Sequence, residues 1–213
     1  MSQNISLKEV ERKVFTTAFQ DGLWDILIGC FVLMFAVGPF LSTTGLGDFW
    51  SSVIFVPFWA LVYLVIWLIR KFVVTPRIGV VRFGLSRKVR LSRFLAIATV
   101  VGIVGLILGI LSAQISDAPG WVFVTSFGLL VLISFSVAAY FLDFTRLYLY
   151  GVLIALSPLV GEWLYVQVGA SHHGYPITFG ATAAIMISVG LIKFALLLRD
   201  HPIPVEESSS VES

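Results

Sequence analysis

Charge is scarce in this chain. Only 12% of its 213 residues are Asp, Glu, Lys or Arg, about half of what a soluble domain carries. With 58% hydrophobic residues and a mean hydropathy of +0.99, most of the length belongs in lipid. Cysteine is nearly absent. Cys30 is the single one, which excludes an intrachain disulfide and a Cys-based zinc site. It lies in an apolar run and reads as a small buried hydrophobe. Nucleotide and hydrolase motifs are missing as well. There is no G-x-x-x-x-G-K-[ST], no G-x-G-x-x-G after a strand, no H-E-x-x-H and no G-x-S-x-G. Their absence argues against ATP-driven work and the commoner hydrolases, and no cofactor is expected. An intramembrane enzyme with scattered residues stays open.

Two further absences concern charge of one sign. Between Arg70 and Arg93 there is no acidic residue, and eight of the 14 basic side chains fall there: Arg70, Lys71, Arg77, Arg82, Arg87, Lys88, Arg90 and Arg93. Conversely, Ser42–Asp48, Ser116–Gly120 and Gly169–Tyr175 contain neither Lys nor Arg. Lys and Arg resist translocation, so the first segment marks the cytoplasmic side and the other three the outside.

What is present is a set of long apolar runs. A hydrocarbon core about 30 Å thick needs about 20 residues of helix at 1.5 Å each. Six segments qualify: Leu23–Leu41, Phe49–Ile69, Phe94–Ile115, Trp121–Leu142, Leu147–Val168 and Pro176–Leu198. Helix is the default in lipid, where an open strand leaves backbone groups unpaired, and the runs are too continuous for a barrel. The expected fold class is therefore an all-α six-transmembrane-helix bundle, occupying residues 23–200, with both termini cytoplasmic, in a plasma or bacterial inner membrane. Trp50, Trp121, Trp163 and Tyr165 fall near the expected outer boundary, as an aromatic belt does. The first span is too long for a signal peptide's apolar region, and Asp25 interrupts its start, so no cleavable signal is expected.

The flanking segments carry their own patterns. Residues 1–22 read as an interfacial amphipathic helix. Ser6 and Glu9 make a capping box, and Leu7, Val10, Val14 and Ala18 share a face. In the basic loop 70–93, Thr75-Pro76 is expected to end the second helix. Ile78–Phe83 and Lys88–Leu91 are expected to pair as a short hairpin around Gly84–Arg87. The alternative starts a helix at Ser86 that continues into the third span. Residues 201–213 open with His201-Pro202-Ile203-Pro204, which cannot continue a helix, and close as an acidic, Ser-rich, disordered tail.

Candidate chemistry is sparse. A charge at mid-membrane costs on the order of 3 kcal/mol, so each intramembrane ionisable residue needs a reason. Glu162 is the deepest, one turn after Pro158, and is the leading ion or proton candidate. Asp25 can stay at the inner interface and Lys193 can snorkel to it. His172 and His173 are weak metal candidates beside Glu162, since neighbouring loop histidines point apart and no fourth ligand is apparent. The eight loop cations are candidates for the anionic inner lipid surface, where each gains about 1 kcal/mol. No nucleic-acid reading motif is present. Small residues at Gly105, Gly109 and Ala113, and at Gly180, Ala184 and Ser188, favour close helix packing within the chain or with a membrane-protein partner or second copy. The leading functional expectation is a non-enzymatic accessory or scaffold protein. A small transporter or channel built on Glu162, and a membrane enzyme using Glu162 with His172 or His173, are the rivals.

Overall fold

The computed structural model describes residues 21–43, 53–78, 85–114 and 120–202. These are helical almost throughout and contain no strand. The helices are α1 (Leu23–Thr43), α2 (Phe55–Ile69), α3 (Leu85–Gln114), α4 (Gly120–Leu142), α5 (Arg146–Val168) and α6 (Tyr175–Asp200). A short turn, Ser171–Gly174, links the last two. The expected amphipathic helix at residues 7–20, the first arm of the expected hairpin and the C-terminal tail lie outside the described residues. Five helical stretches are long and apolar enough to cross a membrane: Leu23–Leu41, Phe55–Arg77, Val124–Leu142, Arg146–Val168 and Ser171–Asp200. In α3 the apolar stretch is the shorter Ser92–Gly105.

Two local expectations are corrected. The second hairpin arm, Lys88–Leu91, lies inside α3. A four-residue strand pairing in isolation is marginal, whereas a helix satisfies its own backbone and joins the apolar run behind it. Helix α2 does not end at Thr75-Pro76. It widens into a π-helical turn, Arg70–Val74, and finishes with the turn Thr75–Ile78. The Thr75 N–H donates to the Arg70 carbonyl five residues back, and the Thr75 hydroxyl donates to the same oxygen at 2.8 Å. The wider turn makes room for the proline ring, which in a regular α-helix clashes with the preceding turn.

The centre of the bundle is built by α1, α4, α5 and α6. Helices α1 and α6 run antiparallel in close contact, with Val32, Ala36, Ala183 and Met186 almost fully enclosed between them and their neighbours. Gly22 sets the closest approach. Its φ is +82°, and a Cβ there would collide with the backbone carbonyl of Gly190, so only glycine serves. The buried seam of α6 runs through Phe179, Ala183, Met186 and Gly190. Ala184 and Ser188, expected as packing positions, are exposed instead. Helix α2 packs on α1 and buries none of its own residues. Helix α3 packs on α4. Apolar side chains such as Val56, Tyr63, Val100 and Ile192 are more than half exposed, as a bilayer requires.

One end of the bundle collects the starts of α1 and α5 and the finishes of α2 and α6. It carries Arg70, Arg77, Arg93, Arg146 and Arg199, and is called the basic end below.

Candidate functional site at the basic end

Asp21 and Asp25 stand one turn apart at the start of α1, and both are enclosed, with 1% and 0% of their surfaces exposed. Carboxylates are stabilised at a helix start, where backbone N–H groups lack partners. Asp21 uses this directly: its Oδ1 accepts the Leu23 N–H at 3.0 Å. Its Oδ2 accepts from Arg70 Nη2 at 2.9 Å. The π-helical turn begins at Arg70, so the widening of α2 and the placement of this guanidinium occur at one residue. Arg70 also lies over the Trp24 ring, 5.8 Å from its centroid.

Asp25 is held from α5. Its Oδ2 accepts from Arg146 Nη1 at 2.6 Å and its Oδ1 accepts from the Tyr150 hydroxyl at 2.6 Å. Arg146 and Tyr150 are themselves one turn apart, so two four-residue spacings face each other across the α1–α5 boundary. The Arg146 guanidinium also rests 4.9 Å from the Phe144 ring centroid. Two enclosed carboxylates thus meet two partly exposed guanidiniums in a charge-neutral cluster that joins α1, α2 and α5. Charge-assisted hydrogen bonds of this length are roughly twice as strong as neutral ones. Removing a guanidinium takes the cationic partner from a buried carboxylate.

At the opposite end Glu162 meets His173, with Nδ1 and Oε2 3.0 Å apart. Both side chains are partly exposed, 32% for Glu162 and 52% for His173. The His173 ring lies between Tyr165 (centroids 4.4 Å apart) and Tyr175 (5.7 Å). A strained turn aims it there. His172 and His173 have φ of 51° and 54°, and Gly174 follows at 64°. A Cβ on Gly174 would stand 2.6 Å from the Gly161 carbonyl, so the turn is pressed onto α5. His172 packs against Phe40 instead of joining Glu162. Among the described residues no three His, Cys, Asp or Glu side chains converge as a metal site would need. Pro158 and Ser157 are buried in α5, and the Ser157 hydroxyl bonds Thr182 of α6 at 2.9 Å.

The other sequence candidates are dispersed. Lys193 is exposed on α6. Lys71 lies over the Trp67 and Phe72 rings, at 4.9 and 5.4 Å. Nε and Nη1 of Arg77 are buried with no hydrogen-bond partner among the described residues. Arg93 is exposed on α3. Arg87, Lys88 and Arg90 lie in the first turns of α3, and Arg82 lies outside the described residues. Sequence reasoning missed Asp21, Arg146 and Tyr150. The signal was the matched spacing of Asp21 with Asp25 and of Arg146 with Tyr150, each pair beginning a helix.

Two apolar cavities flank this end. A small one of about 110 Å³ lies between α1 and α2, bordered by Trp24, Tyr63 and Arg70. A larger one of about 830 Å³ lies between α1, α3, α4 and the start of α5. Comparison of the chain with family models, curated proteins and solved structures finds no match. The class defined by fold and site is a helical, membrane-embedded protein with an internally neutralised ionic cluster.

Proposed function

We propose that the chain is a six-span membrane protein with both termini cytoplasmic, acting as a non-enzymatic accessory or scaffold component of a plasma or bacterial inner membrane. One observation carries the functional part: three carboxylates set into the described bundle each have a cationic or imidazole partner. Asp21 has Arg70, Asp25 has Arg146 and Tyr150, and Glu162 has His173. A carboxylate with both oxygens engaged, like Asp25, suits a tie between helices. The larger cavity is lined almost wholly by aliphatic and aromatic side chains, which suits lipid and not a hydrated solute.

The six-span count is supported by α3. It stays helical from Phe94 to Gln114, about 30 Å at 1.5 Å per residue, which matches the roughly 30 Å of hydrocarbon. The gathering of arginines at one end supports the orientation.

The Glu162–His173 pair favours a second reading, a small transporter or channel, because it is partly exposed beside a strained turn. Proton and cation flux into vesicles containing the purified protein separates the two. Wild type and Glu162→Gln should both match empty vesicles. Flux in wild type that Glu162→Gln abolishes, with folding retained, would replace the accessory reading with the transporter.

A further inference from the structure

We infer that the larger cavity is a binding site for one anionic phospholipid, its acyl chain in the cavity and its phosphate at the basic end. The cavity is a slot with a direction. Its α3 wall runs from Phe94 to Gly105 and its α4 wall from Leu142 to Leu130. Eleven residues of helix make the slot about 17 Å long, close to the roughly 15 Å of hydrocarbon in one leaflet. At the inner end of the slot the walls meet: a Cβ on Gly105 would stand 2.9 Å from Leu130 Cδ2. One turn nearer the mouth they part, and a Cβ on Gly102 would meet nothing within 4 Å. The mouth lies at the basic end, where Phe94 packs against Phe141 and Phe144 forms the border.

Size and charge select the occupant. An apolar cavity of about 150 Å³ stays dry and takes up benzene; this one holds about 830 Å³. A partner's transmembrane helix would need a groove of about 30 Å along the full bilayer, and the meeting of Gly105 and Leu130 stops it halfway. A lipid chain needs one leaflet only. The Ser134 hydroxyl, the one polar side chain in the lining besides the Trp24 indole, is turned back onto the Leu130 carbonyl at 2.7 Å, so the wall asks for no polar ligand. Beside the mouth Arg93 is exposed next to Phe94, whereas Arg146, over Phe144, is already paired with Asp25, and Asp143 adjoins Phe144; Arg93 is the cation left to meet a phosphate. A phosphate there completes the lipid, since anionic headgroups are drawn to surface arginines.

The inference rests on the membrane reading above, and not on the accessory role. The test is native mass spectrometry of the full chain, released from bilayers of mixed phosphatidylglycerol and phosphatidylcholine. Wild type should retain one phosphatidylglycerol. Gly102→Phe should fill the slot, melt no lower than wild type and retain about tenfold less lipid, equivalent to about 1.4 kcal/mol. Ala98→Leu, which fills less of the slot, should give an intermediate loss, so the result does not hang on one variant. Ile192→Phe, on a lipid-facing side of α6 that is 60% exposed, should behave as wild type. Arg93→Gln should narrow the preference for phosphatidylglycerol. Equal retention by wild type, Gly102→Phe and Ala98→Leu would overturn the site, and an unchanged lipid preference in Arg93→Gln would overturn the phosphate assignment. A second copy or another polypeptide displaced by Gly102→Phe would give the slot to a helix and likewise overturn it. Flux in the vesicle assay would sink the accessory role while leaving these outcomes intact.

Discussion

Asp25 illustrates how little a single charged residue reveals until its partner is known. Read alone, it is a carboxylate at the start of a span, able to remain in the interface. In the structure it is enclosed, with Arg146 and Tyr150 on its two oxygens. Asp25→Ala should lower stability by about 3 kcal/mol, because it removes an enclosed carboxylate together with its charge-assisted hydrogen bonds to Arg146 and Tyr150. Tyr150→Phe removes one hydrogen bond to a charged group and should cost about 1.5–3 kcal/mol. Asp21→Asn keeps the helix cap and weakens a pair whose Arg70 side chain is 41% exposed, so its effect should stay under about 1 kcal/mol. Thermal melts in detergent would check this order, and a melt for Asp21→Asn as low as that for Asp25→Ala would break it. The pairing was not legible in the sequence because its members lie 49 and 121 residues apart. Lys and Arg near span ends also read first as topology markers. Glu162 was legible as the deep carboxylate, but its choice of His173 over His172 depends on a turn of three left-handed residues that no local pattern announces.

At the scale of elements, apolar length was the dependable signal. The runs beginning at Leu23, Trp121, Leu147 and Pro176 fall on helices that start within two residues of them. Single local rules fail where the chain holds an exception to them. Pro76 reads locally as a terminator, yet a π-helical turn accommodates it and sets Arg70 against Asp21. The β-rich stretch Lys88–Leu91 reads locally as half of a hairpin, yet the apolar run behind it carries the helix forward. The closeness of α1 and α6 was likewise hidden. Gly22 gives no sign in sequence that its carbonyl and that of Gly190 leave each other no room for a side chain. Gly22→Ala imposes a positive φ on a residue with a Cβ and pushes it into backbone, so a loss of about 2 kcal/mol or more is expected. The loss should appear as a lower melting temperature, with helix content by circular dichroism nearly unchanged. A melt equal to wild type would mean that the two helices are not this close.

At the scale of the whole molecule, the proposed six-span arrangement makes a direct demand on accessibility. In a Cys30→Ser background, cysteines placed at Asp48, Asp117 and Ser171 should react with an impermeant thiol reagent on intact cells. A cysteine at Ser86 should react only after permeabilisation. Labelling of Ser86→Cys from outside would reverse the orientation, and with it the leaflet assigned to the lipid slot. The arrangement places both charge-paired termini of the bundle core, the start of α1 and the start of α5, on the same face of the membrane.

That placement has a consequence in time. A ribosome adds about 5–20 residues per second. Asp25 therefore waits about 6–24 s for Arg146, which follows it by 121 residues. During that interval the first helix carries two carboxylates whose final partners are not both made, and Arg70 arrives for only one of them. The natural resting place for such a helix is shallow, with its acidic end in the headgroup region, until the fifth helix inserts and draws it inward. Assembly of the core is then committed late, by a residue two thirds of the way along the chain. A nascent chain that stalls before Arg146 presents an acidic helix end without its α5 partner.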